Sequence, residues 1–213
     1  MLAAFTAGLL LITISELGDK TFFIAVILAM RHSRRLVFLG VLAALAAMTL
    51  LSVMLGQVVS LLPKKYIDFG EIALFLGFGL KLIYDASRMP AKSENAGAKE
   101  AAAEVEKQNE GGTVPRWAKV FSDFPQLAIW LQAFVMTFIA EWGDRTQIST
   151  IALAASYQPV GVTTGAILGH GICTAIAVIG GRLIAGRISE RVVTAVGGVL
   201  FLIFGAVAII EHL

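Results

Sequence analysis

The 213-residue chain reads as an all-α membrane protein, six transmembrane helices arranged as two inverted three-helix repeats. Three observations lead there. The composition is too apolar for a water-soluble core. Six apolar stretches follow one another along the chain. A charged hexamer occurs twice in mid-stretch, at an offset of 125 residues. Hydrophobic residues make up 57% of the chain and charged residues 15%, against roughly 25% charged in an ordinary soluble domain. Mean hydropathy is +0.81, which excludes soluble globular and disordered chains alike. The one cysteine, Cys173, excludes a disulfide framework and a thiolate metal cluster. There is no P-loop, dinucleotide fingerprint or nucleic-acid-binding patch. No cofactor and no nucleic-acid partner are therefore expected, and transport without an ATP site would have to run on a gradient.

The first stretch, 2–30, would make a helix of roughly 43 Å at 1.5 Å per residue, longer than the ~30 Å hydrocarbon core. It must tilt or break near Gly18. No basic residue precedes it, so a secretory signal is not expected, and no organelle-targeting extension is visible. A polar turn, RHSRR at 31–35, leads to a second span at 36–62, which PKK at 63–65 ends. A third span at 67–87 carries Asp68, Glu71, Lys81 and Asp85 toward its ends. Repeat 1 thus covers 1–87. Residues 88–123 hold 12 of the 32 charged residues; 88–124 reads as a flexible cytoplasmic linker with a short surface helix at 98–108. Repeat 2, 125–213, begins with a fourth span over 126–155, its charges Glu141, Asp144 and Arg145 near the middle. Residues 146–181 are uncharged, divided by YQP at 157–159. The sixth span is 192–210. Twelve basic residues fall on one side of this topology and two on the other. The linker is therefore placed in the cytoplasm and both termini opposite.

At an offset of 125, Glu16, Gly18, Asp19 and Thr21 fall on Glu141, Gly143, Asp144 and Thr146, with Lys20 on Arg145. The register continues through Gly40/Gly165, Thr49/Thr174, Val53/Val178 and Gly56/Gly181. A shift to 126 then aligns Leu74, Phe75, Leu76, Phe78 and Gly79 with Leu200, Phe201, Leu202, Phe204 and Gly205. Three spans per repeat is an odd number, so the second copy enters the membrane from the opposite side, as in many secondary transporters. Rocking of the two three-helix units about a shared midplane site is the expected motion.

The hexamers are ELGDKT and EWGDRT. Glu16 and Asp19 are spaced i, i+3, which puts both carboxylates on one helical face, and Glu141 and Asp144 repeat the spacing. The glycines permit a break that frees backbone carbonyls as further ligands. A mid-span charge costs ~3 kcal/mol on insertion scales and marks an ion path. If Lys20 and Arg145 both face the site, the net charge of −2 is balanced by one divalent cation or two protons. The donors on offer are hard oxygens: the four carboxylates, the hydroxyls of Thr21, Thr146, Ser149 and Thr150, and the amide oxygen of Gln147. They suit Ca²⁺, Mn²⁺ or Mg²⁺ better than zinc or copper. His170, inside the fifth span, is either a proton relay or a neutral interhelical hydrogen-bonder. The competing structural reading makes Glu16/Lys20 and Glu141/Arg145 i, i+4 ion pairs. The glycines of the spans read as helix-packing positions and Cys173 as a small packed residue.

The two hexamers resemble the signature of a family of membrane cation/proton exchangers carrying two copies of E-x-G-D-[KR]-[TS]. That family includes Golgi manganese and calcium transporters, chloroplast manganese transporters and bacterial manganese exporters. Both copies match without departure, and the six spans and central charged loop match too. The resemblance implies exchange of Mn²⁺ or Ca²⁺ for protons at a metal site of Glu16, Asp19, Glu141 and Asp144. It supports Lys20, Thr21, Arg145 and Thr146 as motif members. The expected partners are the divalent cation and the lipid bilayer; homo-oligomerisation is left open. The expected location is a bacterial plasma membrane or a thylakoid membrane, with cation export from the cytoplasm. A passive cation channel, a carboxylate-metal intramembrane enzyme and a non-catalytic scaffold are the alternatives.

Overall fold

The computed structural model describes residues 1–89, 96–108, 124–184 and 189–212. Among them the chain is helical, with no strand. The elements are α1 (Leu2–Glu16), α2 (Lys20–Arg31), α3 (Arg34–Val59), α4 (Lys64–Arg88), α5 (Ala96–Gln108), α6 (Pro125–Ala140), α7 (Arg145–Ser156), α8 (Pro159–Ile184) and α9 (Glu190–His212). Pro125 and Pro159 open α6 and α8, where a missing N–H leaves no helical bond unmade.

The first and fourth apolar stretches are each two half-helices. Gly18 and Gly143 both stand at φ +80°, a left-handed backbone that costs an ordinary residue roughly 1–2 kcal/mol. The excess length of the first stretch is resolved by breaking it, into helices of 15 and 12 residues. Three described helices are long and apolar enough to cross a membrane: α3, α8 as far as Gly180, and α9 as far as Glu211. The half-helices α1 and α6 are apolar but shorter. The 25-residue α4 carries the charges noted above.

The two halves interlock. Gly40 lets α3 lie against α6, where an added Cβ would stand 2.6 Å from the Trp130 carbonyl oxygen and 2.8 Å from the Ala133 Cβ. Gly165 does the same for α8 against Phe5 and Leu9 of α1, the counterparts of Trp130 and Phe134 at the offset of 125. In the antiparallel pair α4 and α9, Gly79 receives Leu202 and Gly205 receives Leu76. Phe75 and Phe201, 126 residues apart, meet with centroids 5.9 Å apart, and Phe75–Phe204 and Phe78–Phe201 flank them at 5.8 Å each. Close packing of this kind holds helices together where the solvent is as apolar as the side chains. Because α1 packs on α8, α3 on α6 and α4 on α9, neither half is a separable body.

The linker differs from a mobile surface segment over 96–108. Helix α5 starts before the expected 98, and Ala101 and Val105 are buried in one core with Phe22, Phe23 and Ile24 of α2. Ala98, Ala101 and Val105 form one small apolar stripe, which is why this helix docks. Linker residues 90–95 and 109–123, Arg187, and the side chain of Arg182 lie outside the described residues.

Candidate cation site

Both helix breaks bring their hexamers to one place. Glu16 ends α1 and Glu141 follows α6; each is 2% exposed. Asp19 and Asp144 are the N-cap residues of α2 and α7. One carboxylate oxygen from each of Glu16, Glu141 and Asp144 lies within 4.8 Å of the others. Oxygens on opposite sides of a divalent ion at ~2.4 Å would stand about this far apart. Oε1 of Glu16 and Oε1 of Glu141 are buried and accept no hydrogen bond among the described residues. Buried carboxylate oxygens left without a donor are costly unless a cation or proton occupies them. Their other oxygens are held in place. Thr21 donates its hydroxyl to Glu16 Oε2 at 3.1 Å. Thr146 donates to Glu141 Oε2 at 3.3 Å and to Asp144 Oδ2 at 3.2 Å. The backbone N–H of Thr146 also reaches Asp144 Oδ2, at 3.4 Å, capping α7.

The break changes the expected i, i+3 geometry. Glu16 and Asp19 do not share a helical face, because the helix stops at one and restarts at the other. Glu16 turns to Glu141 and Asp144, whereas Asp19 turns to Arg145, whose Nη2 lies 3.7 Å from Asp19 Oδ1. Arg145 Nε stands 4.0 Å from Asp144 Oδ1, so the guanidinium bridges acids from the two halves. Lys20 faces away: its Nζ pairs with Glu104 of α5 at 2.9 Å. Glu16/Lys20 and Glu141/Arg145 are thus not the pairs the described structure forms, because the broken backbone takes i and i+4 off one face. The net charge of −2 held only for a site that both Lys20 and Arg145 face. With Lys20 neutralised by Glu104, four carboxylates face one guanidinium, a formal −3.

Other candidates have different tasks. Gln147 accepts from the Gly143 N–H at 2.7 Å and donates toward Met48 sulfur at 3.0 Å, so its amide pins the break. Ser149 and Thr150 return their hydroxyls to the carbonyls of Arg145 and Thr146, both at 2.7 Å, the usual helix back-bond. His170 is buried in α8 with Nδ1 unbonded among the described residues, outside the cluster of three acids. Cys173 packs as expected and donates Sγ–H to the Thr13 carbonyl at 3.2 Å.

Two features were not legible in the sequence. Glu104 is one of many linker acids, and only docking of α5 singles it out. Thr137, one turn before Glu141, has a buried hydroxyl without a partner among the described residues; its only signal is a threonine inside an apolar run. A cavity of about 140 Å³ is lined by Gly18, Asp19 and Arg145, with Asp85, Glu190 and Thr194 also among its walls.

The breaks can be tested directly. A Cβ at Gly143 meets no atom within 4 Å, so Gly143→Ala carries only the backbone cost. It should lower stability by about 1 kcal/mol and weaken divalent-cation binding, read by thermal unfolding with and without Mn²⁺. An unchanged melting curve would show that the left-handed turn is not required.

The family model of the divalent cation/proton antiporter GDT1 matches residues 4–90 and 129–213. A GDT1-like protein of Synechocystis is 56% identical over 212 residues, covering 98% of this chain and 97% of that protein. GDT1-like protein 3 of Oryza sativa is 45% identical over 202 residues, 94% of this chain and 71% of that protein. The chloroplastic PAM71-homolog of Arabidopsis thaliana is 41% identical over 210 residues, 96% of this chain and 58% of that protein. No solved structure matches the chain. Two charged hexamers meeting at paired helix breaks, and a family match over both halves, lead to one conclusion: the chain belongs to the GDT1 family of divalent cation/proton antiporters, which are membrane transporters and not enzymes.

Proposed function

We propose that the chain exchanges Mn²⁺ first, and Ca²⁺ second, for protons at Glu16, Asp19, Glu141 and Asp144, exporting the cation from the cytoplasm. The observation that carries this is the meeting of Glu16, Glu141 and Asp144 oxygens within 4.8 Å, two of the acids having an oxygen with no other partner. Metal and protons compete for the same oxygens, because a carboxylate must shed its proton to ligate. Exchange follows if the site faces one side at a time. Arg145 lies on Asp19 and Asp144 and swings away as a cation enters, so an internal positive charge can take the place of a departing one. Thr21 and Thr146 orient the ligands. The proposed architecture is six spans, α1+α2, α3, α4, α6+α7, α8 and α9, as two inverted repeats. The packing pairs that recur at offsets of 125 and 126 support it. The linker lies in the cytoplasm and the termini opposite, in a plasma or thylakoid membrane.

The test is purified protein in sealed liposomes with a pH dye inside and the membrane potential clamped. Added Mn²⁺ or Ca²⁺ should drive proton efflux that Asp19→Asn abolishes, Mn²⁺ at the lower concentration. Cation entry without proton movement would replace exchange by a channel.

A further inference from the structure

The two halves correspond element by element, yet they are not packed alike. Shifted by the repeat, α1 becomes α6, α2 becomes α7 and α4 becomes α9. The pair α4–α9 packs against α1 and α7. The corresponding contacts, α4 with α6 and α9 with α2, have no comparable packing among the described residues. One end of the molecule, where the termini lie, is therefore closed around α4–α9. The other end, where α5 lies, is parted, and the 140 Å³ cavity there is lined by Asp19 and Arg145 together with Gly97 of α5.

The same shift converts the open walls into a closed counterpart. Asp85, Thr194 and Gly197 of the open cavity correspond to Glu211, Asp68 and Glu71. Asp19 and Arg145, also among its lining residues, correspond to Asp144 and Lys20. In this conformation Glu71 is buried, and Glu211 accepts a hydrogen bond from the Tyr157 hydroxyl at 2.6 Å, tying the end of α9 to the α7–α8 turn.

We infer that the cation reaches and leaves the carboxylates by two routes used in turn, an open one past Asp85 and Glu190 and a closed one past Asp68, Glu71 and Glu211, exchanged by α4 and α9 moving as one body. The Gly79–Leu202, Gly205–Leu76 and Phe75–Phe201 contacts keep those two helices together. The two-route scheme rests on the carboxylates being the transport site, and it makes α4–α9, not a three-helix repeat, the moving part.

Cysteine labelling reads the two routes without reference to the cation. In a Cys173→Ala background, Thr194→Cys should react with a membrane-impermeant maleimide about tenfold faster than Glu71→Cys, as for a conformer that dominates its alternative. Adding Tyr157→Phe, which removes the closing hydrogen bond, should raise the Glu71→Cys rate and lower the Thr194→Cys rate. Ile67→Cys and Val193→Cys, also 126 apart, repeat the comparison should Glu71→Cys not fold. Equal rates, or rates that move together, would overturn the inference. Bridging Tyr157→Cys to Glu211→Cys with a short bis-methanethiosulfonate should stop Mn²⁺ flux, reversibly on reduction, while Mn²⁺ binding in detergent persists; full flux with the bridge intact would also overturn it. Failure of the site reading looks different: the unbridged protein would then bind no Mn²⁺, while the labelling rates still exchanged.

Discussion

Glu16→Ala and Asp144→Ala should each reduce divalent-cation transport at least about 100-fold, more than the 10–100-fold typical of groups that only support a metal ligand. Each removes one of three acids whose oxygens converge within 4.8 Å, and the remaining hexamer acid, Asp19, already belongs to the proposed site and is no spare ligand. The proteins should still insert and fold. Glu16 closes a helix that meets α8 closely at Phe5, Gly8 and Leu9, and Asp144→Ala loses a cap worth about 1 kcal/mol. Flux in vesicles at matched protein amounts, with size-exclusion profiles as the folding check, measures the effect. Full transport by either variant would mean that the convergent acids are not the site.

The largest effect on stability should come from Gly165→Leu. Its Cβ would run into the Phe5 backbone of α1, where only separation of α1 from α8 relieves the clash. Overpacking of side chains alone costs about 1–3 kcal/mol, and a clash with backbone should exceed that. The expected result is loss of a monodisperse, cooperatively melting protein. Gly77→Ala is the control. Gly77 lies inside α4 with nothing within 4 Å of an added Cβ, so alanine there should gain up to about 1 kcal/mol from helix propensity. Similar melting of both variants would show that helix approach at Gly165 contributes nothing.

Much of this was legible in the chain. The paired hexamers marked where both breaks could fall, at Gly18 and Gly143, and left tilt or close helix approach as the alternatives. The offset of 125 found Gly40 and Gly165, which do hold α3 to α6 and α8 to α1. What spacing could not show was side-chain direction after a break. The i, i+3 and i, i+4 relations hold only on continuous helix, so Asp19 was placed on the face of Glu16, which it does not share, and the direction of Lys20 stayed open. The docking of α5 was hidden for a different reason. Alanine, glutamate and lysine are common in solvated linkers, and the apolar stripe of Ala98, Ala101 and Val105 finds its partner only once α2 exists as a separate half-helix.

Direct competition between metal and protons at one set of carboxylates is the central claim, and proton release on binding measures it. Mn²⁺ titrated into the purified protein in weak buffer with a pH indicator should bind saturably and release about one to two protons per cation, since ligating carboxylates must be deprotonated. Binding and release should both fall in Asp144→Asn. Saturable binding by the wild-type protein without proton release, or release that Asp144→Asn leaves unchanged, would contradict it.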